Sequence, residues 1–214
     1  MDKYLNKIIC GDCLEVLKQL PDNSVDLVLT DPPYGINADK GVGGGSHRGK
    51  VNKFDGNWDS TIPSKEYFDE IFRVSKNQII FGGNYFTEYL KNSPCYIIWD
   101  KREGLPTRTF ADCEMAWTSF KSPARIFRFR WDGMIQENMK NKEVKFHPTL
   151  KPLELFRWII ENYSEEGQII LDPFLGSGTT AVACKQLKRN YIGIELSEEY
   201  CEIAKKRLEQ DVLF

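Results

Sequence analysis

Val25-Asp26-Leu27-Val28-Leu29-Thr30 runs without a break into Asp31-Pro32-Pro33-Tyr34. The first of these stretches is largely apolar. That is the composition of a strand covered on both faces in a parallel sheet, not of one with a wet side. The two prolines end the strand, since neither carries an N–H to extend a hydrogen-bond ladder. The chain therefore leaves the sheet at Asp31 on a stiff turn. A proline turn closing a strand is ordinary in itself, and the rest of the chain decides whether this one is more.

On either side of this stretch, strands and helices alternate. Ile8-Ile9-Cys10 reads as a short strand, and Asp12, with Glu15 at capping-box spacing, predicts a helix through Leu20. Ser64 caps a helix carrying Tyr67, Phe68, Ile71, Phe72 and Val74. Gln78-Ile79-Ile80-Phe81 is a strand that stops at Gly82-Gly83-Asn84. A short helix near Tyr85 to Leu90 leads to the strand Cys95-Tyr96-Ile97-Ile98-Trp99. Glu114-Met115-Ala116-Trp117-Thr118-Ser119-Phe120 and Arg125-Ile126-Phe127-Arg128-Phe129-Arg130-Trp131, joined by Lys121-Ser122-Pro123-Ala124, predict an antiparallel hairpin. A helix follows with Leu155, Phe156, Trp158, Ile159 and Ile160. Gln168-Ile169-Ile170-Leu171-Asp172 is a strand, Thr179 to Leu187 a helix, and Asn190-Tyr191-Ile192-Gly193-Ile194-Glu195 a strand. Ser197 caps the last helix, to about Asp211. This order predicts an α/β fold with a mostly parallel sheet and an antiparallel strand. Ligands of such sheets bind beyond the strand carboxyl ends. The loops at Asp31 and Asp172 both lie there and are expected to line one cleft.

The length of 214 residues suits a single domain, 1–214. Apolar residues at 41% and charged residues at 28% are those of an ordinary globular chain, with no apolar run long enough to span a membrane. The first residues lack the apolar core of a signal peptide, so a cytoplasmic protein without membrane partners is expected. Six cysteines and two histidines form no zinc pattern: Cys10 and Cys13 have CxxC spacing but straddle a strand end and a helix start. No metal is expected. The net charge of −2 gives no whole-chain basic footprint. Basic residues instead concentrate locally. Lys40, Arg48, Lys50 and Lys53 lie in a glycine-rich loop over 35–61, and Lys121, Arg125, Arg128 and Arg130 in the insert over 100–146. A basic run is usually a solvated face, but these two fall in the segments least like core structure, where phosphate contact fits.

Gly176-Ser177-Gly178-Thr179-Thr180-Ala181 fits G-x-G-x-x-A between a strand and a helix, and Glu195 ends the next strand, where an acid grips ribose hydroxyls. A dinucleotide site would read much the same. Asp172, just ahead of the glycines, disfavours a pyrophosphate and suits the ammonium of an amino-acid moiety. The bland account is a tight strand–helix turn with a capping acid.

Three motifs in one order narrow the field. Asp31-Pro32-Pro33-Tyr34, His147-Pro148-Thr149-Leu150-Lys151-Pro152 and Asp172-Pro173-Phe174-Leu175-Gly176-Ser177-Gly178-Thr179-Thr180 resemble the signature of S-adenosylmethionine-dependent DNA amino-methyltransferases in their β arrangement, the adenine-N6 and cytosine-N4 family. The resemblance covers nearly the whole chain. It implies a Rossmann-like class I methyltransferase fold with a seven-stranded sheet in permuted motif order. The two termini would then lie close together, on one edge half of that sheet. It implies S-adenosylmethionine as cofactor, with Phe174, Gly176, Ser177, Gly178 and Thr179 around its methionine portion and Thr149 and Lys151 flanking it. Glu195, with Leu196 beside it, would meet the ribose, and Gly11-Asp12-Cys13 the adenine ring. Asp12 reads equally as a helix cap.

The chemistry explains the residue types. An aromatic amino group is a poor nucleophile because its lone pair is delocalised into the ring. Acceptors at Asp31 and the Pro32 carbonyl would each take one amino N–H and free the lone pair for in-line attack on a sulfonium methyl. Pro33 stiffens the loop, and Tyr34 offers a face to a base flipped from the duplex. The leading Asp favours adenine N6, since cytosine-N4 loops usually begin with Ser. Cytosine C5 chemistry needs a thiolate, and Cys95 begins an apolar strand. A catalytically silent DNA-binding module of the same fold would have no use for Asp31, Tyr34 and Asp172. DNA is the expected partner. Because residues 100–146 leave little room for base readout, a second copy of the chain is a further candidate, as is a cognate restriction nuclease. Arg48, Lys50, Lys53, Arg125, Arg128 and Arg130 are the candidate DNA contacts, with the 35–61 loop as a lid in which Trp58 packs.

Overall fold

A computed structural model describes residues 1–36, 59–103, 105–106, 111–132, 135–140, 142–143 and 150–210. Its strands are β1 (Lys7–Cys10), β2 (Val25–Thr30), β3 (Ser75–Phe81), β4 (Tyr96–Asp100), β5 (Cys113–Thr118), β6 (Arg125–Arg128), β7 (Trp131–Asp132), β8 (Ile135–Gln136), β9 (Ile169–Asp172) and β10 (Asn190–Glu195). Its α-helices are α1 (Cys13–Leu17), α2 (Lys65–Val74), α3 (Leu153–Tyr163), α4 (Thr179–Gln186) and α5 (Glu198–Glu209). One eight-stranded sheet has the order β1-β10-β9-β2-β3-β5-β4-β6, and β7 and β8 pair separately. The chain has a Rossmann-like class I fold: β5 alone runs antiparallel to its neighbours, and β6 extends the expected seven strands to eight.

The predicted hairpin is not formed. Both edges of β5 are taken, by β3 and by β4, so the chain crosses to the far side of β4 and β6 pairs there in parallel. Alternation marked both runs as strands, but it carries no information on partners. Two helices also differ from expectation. α1 stops at Leu17 and tightens into a turn in which the Gln19 and Leu20 N–H groups donate to the Val16 and Leu17 carbonyls. The segment after β3 is a 3-10 turn over Gly83–Tyr85 followed by further turns.

Both faces of the sheet are covered, which is why β2 reads as nearly continuous apolar sequence. On one face Val28, Ile80, Leu171 and Ile194 meet Val16 and Leu17 of α1 and Phe68, Ile71 and Val74 of α2. On the other, Leu27, Leu29, Ile79, Phe81 and Ile97 meet Leu155, Phe156 and Ile159 of α3 and Ala183 and Cys184 of α4. The one acid inside β2 is accounted for: Asp26 accepts from the Ile169 N–H at 2.9 Å and from Lys76 at 2.7 Å, fastening the starts of β9 and β3 to β2. At the opposite edge α5 packs on β1, β10 and α4, and Ile8 and Leu208 adjoin one apolar cluster. The first strand and last helix thus share an edge half, while residues 211–214 lie outside the described residues. Among the described residues no helix is long and apolar enough to cross a membrane.

Candidate active site

β2 and β9 are neighbours, with Val28 opposite Leu171, so the two predicted loops emerge side by side. The Thr30 hydroxyl donates to Asp172 Oδ1 at 2.8 Å and fastens one loop to the other. Asp172 also accepts from the Phe174 N–H at 3.1 Å and the Thr180 hydroxyl at 2.5 Å. Burial pushes its carboxyl up to about 7, against the pull of those hydrogen bonds and with a further push from Asp31. Asp172 is therefore a buried joint beneath the glycine loop, with both oxygens engaged.

Asp31 stands just beyond β2 with each oxygen committed. Oδ1 accepts the Tyr34 hydroxyl at 2.5 Å, and Oδ2 meets the Lys151 ammonium at 2.5 Å. Lys151 is only 6% exposed and lies 3.0 Å from Glu114 Oε2, while Glu114 Oε1 meets Lys101 at 2.9 Å. Burial would favour a neutral Lys151 amine, but Asp31 and Glu114 outweigh it and raise its pKa. Burial also raises the Asp31 carboxyl, more than Lys151 and Tyr34 lower it, and Glu114 adds to the rise. For Glu114 itself burial works upward, yet Lys151 and Lys101 prevail and hold it below the usual range. The structure thus brings Lys151 onto the Asp31–Tyr34 loop itself.

The Tyr34 ring stacks on Tyr85 at 5.0 Å with an interplanar angle of 14° and meets Phe86 edge-on at 6.1 Å. Gly82, at φ 68°, lies directly against that ring, and a Cβ there would collide with it. The loop backbone is held from the other side by Asp59, 1% exposed, whose Oδ1 accepts from the Tyr34 N–H at 2.7 Å and the Gly35 N–H at 2.9 Å.

A second set of loops gathers at the ends of β1, β10 and β9, three adjacent strands. The Gly11 N–H donates to the Glu195 carbonyl at 2.9 Å. The Glu195 carboxylate accepts from the Gly176 N–H at 2.7 Å and the Ser197 N–H at 2.8 Å. Asp12 caps α1 through the Leu14 N–H at 2.9 Å and also meets the Tyr67 hydroxyl at 3.4 Å. The Tyr67 ring stands 6.0 Å from that of Phe174. Cys13 is buried at the start of α1, its thiol pushed up to about 12 by burial and by Asp12. A Cβ placed on Gly11 or on Gly176 would meet nothing within 4 Å, and Leu196 at the rim is 74% exposed. This open cradle, with an acid on its wall and bare backbone on its floor, fits a nucleoside carrying an amino-acid tail. Gly178 serves packing instead: at φ 91° it lets α5 approach so closely that a Cβ would stand 2.7 Å from that of Ala204. Ser177 and Thr179 are buried, and their hydroxyls accept from Arg207 of α5 at 3.2 Å each.

The candidate DNA contacts are divided. β6 runs parallel to β4, and so in the same sense as β2. Arg128, 58% exposed and 3.7 Å from Asp100, and Arg130 beyond it therefore stand toward the active-site end. Arg125 begins β6, about 10 Å back along the strand. Arg48, Lys50, Lys53, Trp58 and Thr149 lie outside the described residues, as does most of the 35–61 loop. Cys95 is wholly buried, away from any role as a nucleophile. Among the described residues no three His, Cys, Asp or Glu side chains stand close enough to hold a metal. Sequence reasoning missed Asp59, Tyr67, Lys101, Glu114 and Arg207. Each acts across a long sequence separation without a spacing to mark it. Gly82 alone left a sign, in the paired glycines that end β3.

Residues 84–206 match the DNA methylase family of N6 and N4 methyltransferases. The type II methyltransferase M.HpaI of Haemophilus parainfluenzae is 31% identical, over 96% of this chain and 74% of that protein. The crystal structure of an M1.HpyAVI–SAM complex superposes with a TM-score of 0.59 at 28% identity, covering 94% of this chain and 99% of that one. The cytosine-N4-specific PvuII DNA methyltransferase shares the fold, with a TM-score of 0.64 at 17% identity over 97% of this chain and 87% of that one. On the family match and the relative's identity together, the chain belongs to the DNA methylase family.

Proposed function

We propose that this protein methylates the exocyclic N6 of adenine in DNA. The observation that carries the reading is Asp31: a carboxylate with a buried ammonium at its back, on a proline-stiffened turn at a strand end, tied by Thr30–Asp172 to the open glycine cradle. Bound in that cradle, S-adenosylmethionine supplies an electrophilic methyl group on a sulfonium sulfur. Gly176 and Gly11 leave it room, Glu195 takes the ribose hydroxyls, and Phe174 and Tyr67 wall the cleft.

The protein's own residues then work on the base. Tyr34, braced by Tyr85 and Gly82, stacks on a flipped adenine. Asp31 accepts one amino N–H, and the Pro32 carbonyl accepts the other. Both acceptors act where positive charge develops on nitrogen as its bond to the methyl carbon forms and the methyl–sulfur bond breaks, releasing S-adenosylhomocysteine; the surplus amino proton leaves along the hydrogen bond to Asp31 and from there to water. To accept the base, Asp31 must exchange one of its present partners, and the Tyr34 hydroxyl is the one on the loop that meets the base. Arg128 and Arg130, with Arg48, Lys50 and Lys53, are assigned to phosphates flanking the flipped nucleotide, and Arg125 to a more distant contact.

The test is transfer of a labelled methyl group from S-adenosylmethionine to duplex DNA, followed by digestion and separation of the nucleosides. Label in N6-methyladenine supports the assignment. Label in N4-methylcytosine alone contradicts the adenine assignment while leaving the cleft chemistry in place.

A further inference from the structure

Four charged side chains form an unbroken line of ion pairs. Lys101 meets Glu114 Oε1 at 2.9 Å, Glu114 Oε2 meets Lys151 at 3.0 Å, and Lys151 meets Asp31 Oδ2 at 2.5 Å. Two acids and two bases make the set neutral, which is the condition for burying Glu114 and Lys151 together. The line is held rigidly. Glu114 sits on β5 opposite Trp99, in the interior of the sheet, and the Lys151 ammonium lies 5.6 Å from the centre of the Tyr34 ring and 5.4 Å from that of Phe81.

A buried ammonium with one carboxylate for a partner would bind it tightly and blunt it as a hydrogen-bond acceptor. A second carboxylate divides the cation. We infer that Glu114 is a positioning residue for methyl transfer: it shares the Lys151 ammonium with Asp31, so that Asp31 stays oriented by Lys151 yet keeps acceptor strength for the target amino group, and Lys101 sets how much of the cation Glu114 takes. This inference rests on the reading that Asp31 accepts from the target base.

The charged and titratable groups facing Asp31 are Lys151 ahead of α3, Glu114 on β5, Asp172 at the end of β9 and Tyr34 on its own loop. Glu114→Gln leaves Lys151 to Asp31 alone. The acid limb of the single-turnover rate should move to lower pH, and the plateau rate should fall by about tenfold, the usual scale for a group acting through another. Lys101→Met releases Glu114 to draw Lys151 away, and the acid limb should move to higher pH. Shifts in opposite directions are what a cation divided between the two acids requires, whereas a purely structural strut would lower the melting temperature in both variants and move neither limb. The measurement is methyl transfer to DNA from about pH 5 to pH 9 at saturating S-adenosylmethionine. If Glu114→Gln does not fold, Lys101→Met decides alone: an upward shift supports the inference, and an unmoved limb overturns it. Wild-type transfer with both limbs unmoved overturns this inference only. No transfer by the wild type to any base of DNA overturns it together with the functional reading.

Discussion

The Thr30 hydroxyl donates to Asp172 Oδ1 at 2.8 Å, linking residues 142 positions apart in the chain. The bond sits where two adjacent parallel strands end, and it joins the loop proposed to hold the reacting base to the loop proposed to hold the methyl donor. A shift of either loop would be felt by the other, and transfer tolerates little misplacement.

This joint gives the folded protein a defined pH dependence. Asp172 is raised to about 7 by burial, against an unfolded value of about 3.9. Between those values the folded state holds a proton that the unfolded state has lost. The stability contributed by this group is therefore fully present below about pH 4 and lost as pH rises through about 7. Urea unfolding of the wild type and of Asp172→Asn across this range should show the wild type losing stability relative to the variant as pH rises. A constant difference between them would contradict the assignment. Thr30→Val strips one donor from the buried carboxylate and should cost about 1–3 kcal/mol in the same assay.

Gly82→Ala should disable transfer while sparing cofactor binding. The added Cβ runs into the Tyr34 ring, and the φ of 68° disfavours any side chain. Tyr34 must then leave Tyr85 or Asp31, yet nothing in the Gly176 cradle changes. Calorimetric titration with S-adenosylmethionine should give wild-type affinity, beside a transfer rate lowered about a hundredfold. A wild-type rate would show that the packing of Tyr34 on Gly82 is dispensable.

Asp59→Ala removes the acceptor for the Tyr34 and Gly35 N–H groups. Hydrogen bonds to a charged group contribute about 1.5–3 kcal/mol each, so the turn should loosen more than the fold does. The expected outcome is a fall in kcat with a small change in melting temperature. A large drop in melting temperature with kcat intact would make Asp59 a fold residue only.

Much of this was legible in local sequence. β2 and β10 were read to the residue, because a doubly covered strand is continuously apolar and its ends are marked by turn residues. The caps at Asp12 and Ser197 were legible for the same reason: a cap is decided within one turn of its helix. Pairing was not legible, since alternation along β5 and β6 says which face is buried and nothing about which strand lies alongside. The partners of Asp31 were also hidden. Lys151 stood in a recognisable turn, but Glu114 is one acid at the start of an ordinary strand, and only the antiparallel insertion of β5 beside β4 aims it at Lys151. Asp59 closes a stretch without periodicity and gave no signal at all.

Under the proposed function Asp31 accepts the amino group of the target base and takes no part in holding the cofactor. The most direct test compares the wild type with Asp31→Ala for the mass of methylated nucleosides recovered from DNA, alongside calorimetric binding of S-adenosylmethionine to each. The expected result is N6-methyladenine from the wild type, none from the variant, and similar cofactor affinity in both. Methylated adenine from Asp31→Ala at the wild-type rate, or loss of cofactor binding as the sole cause of its inactivity, would contradict it.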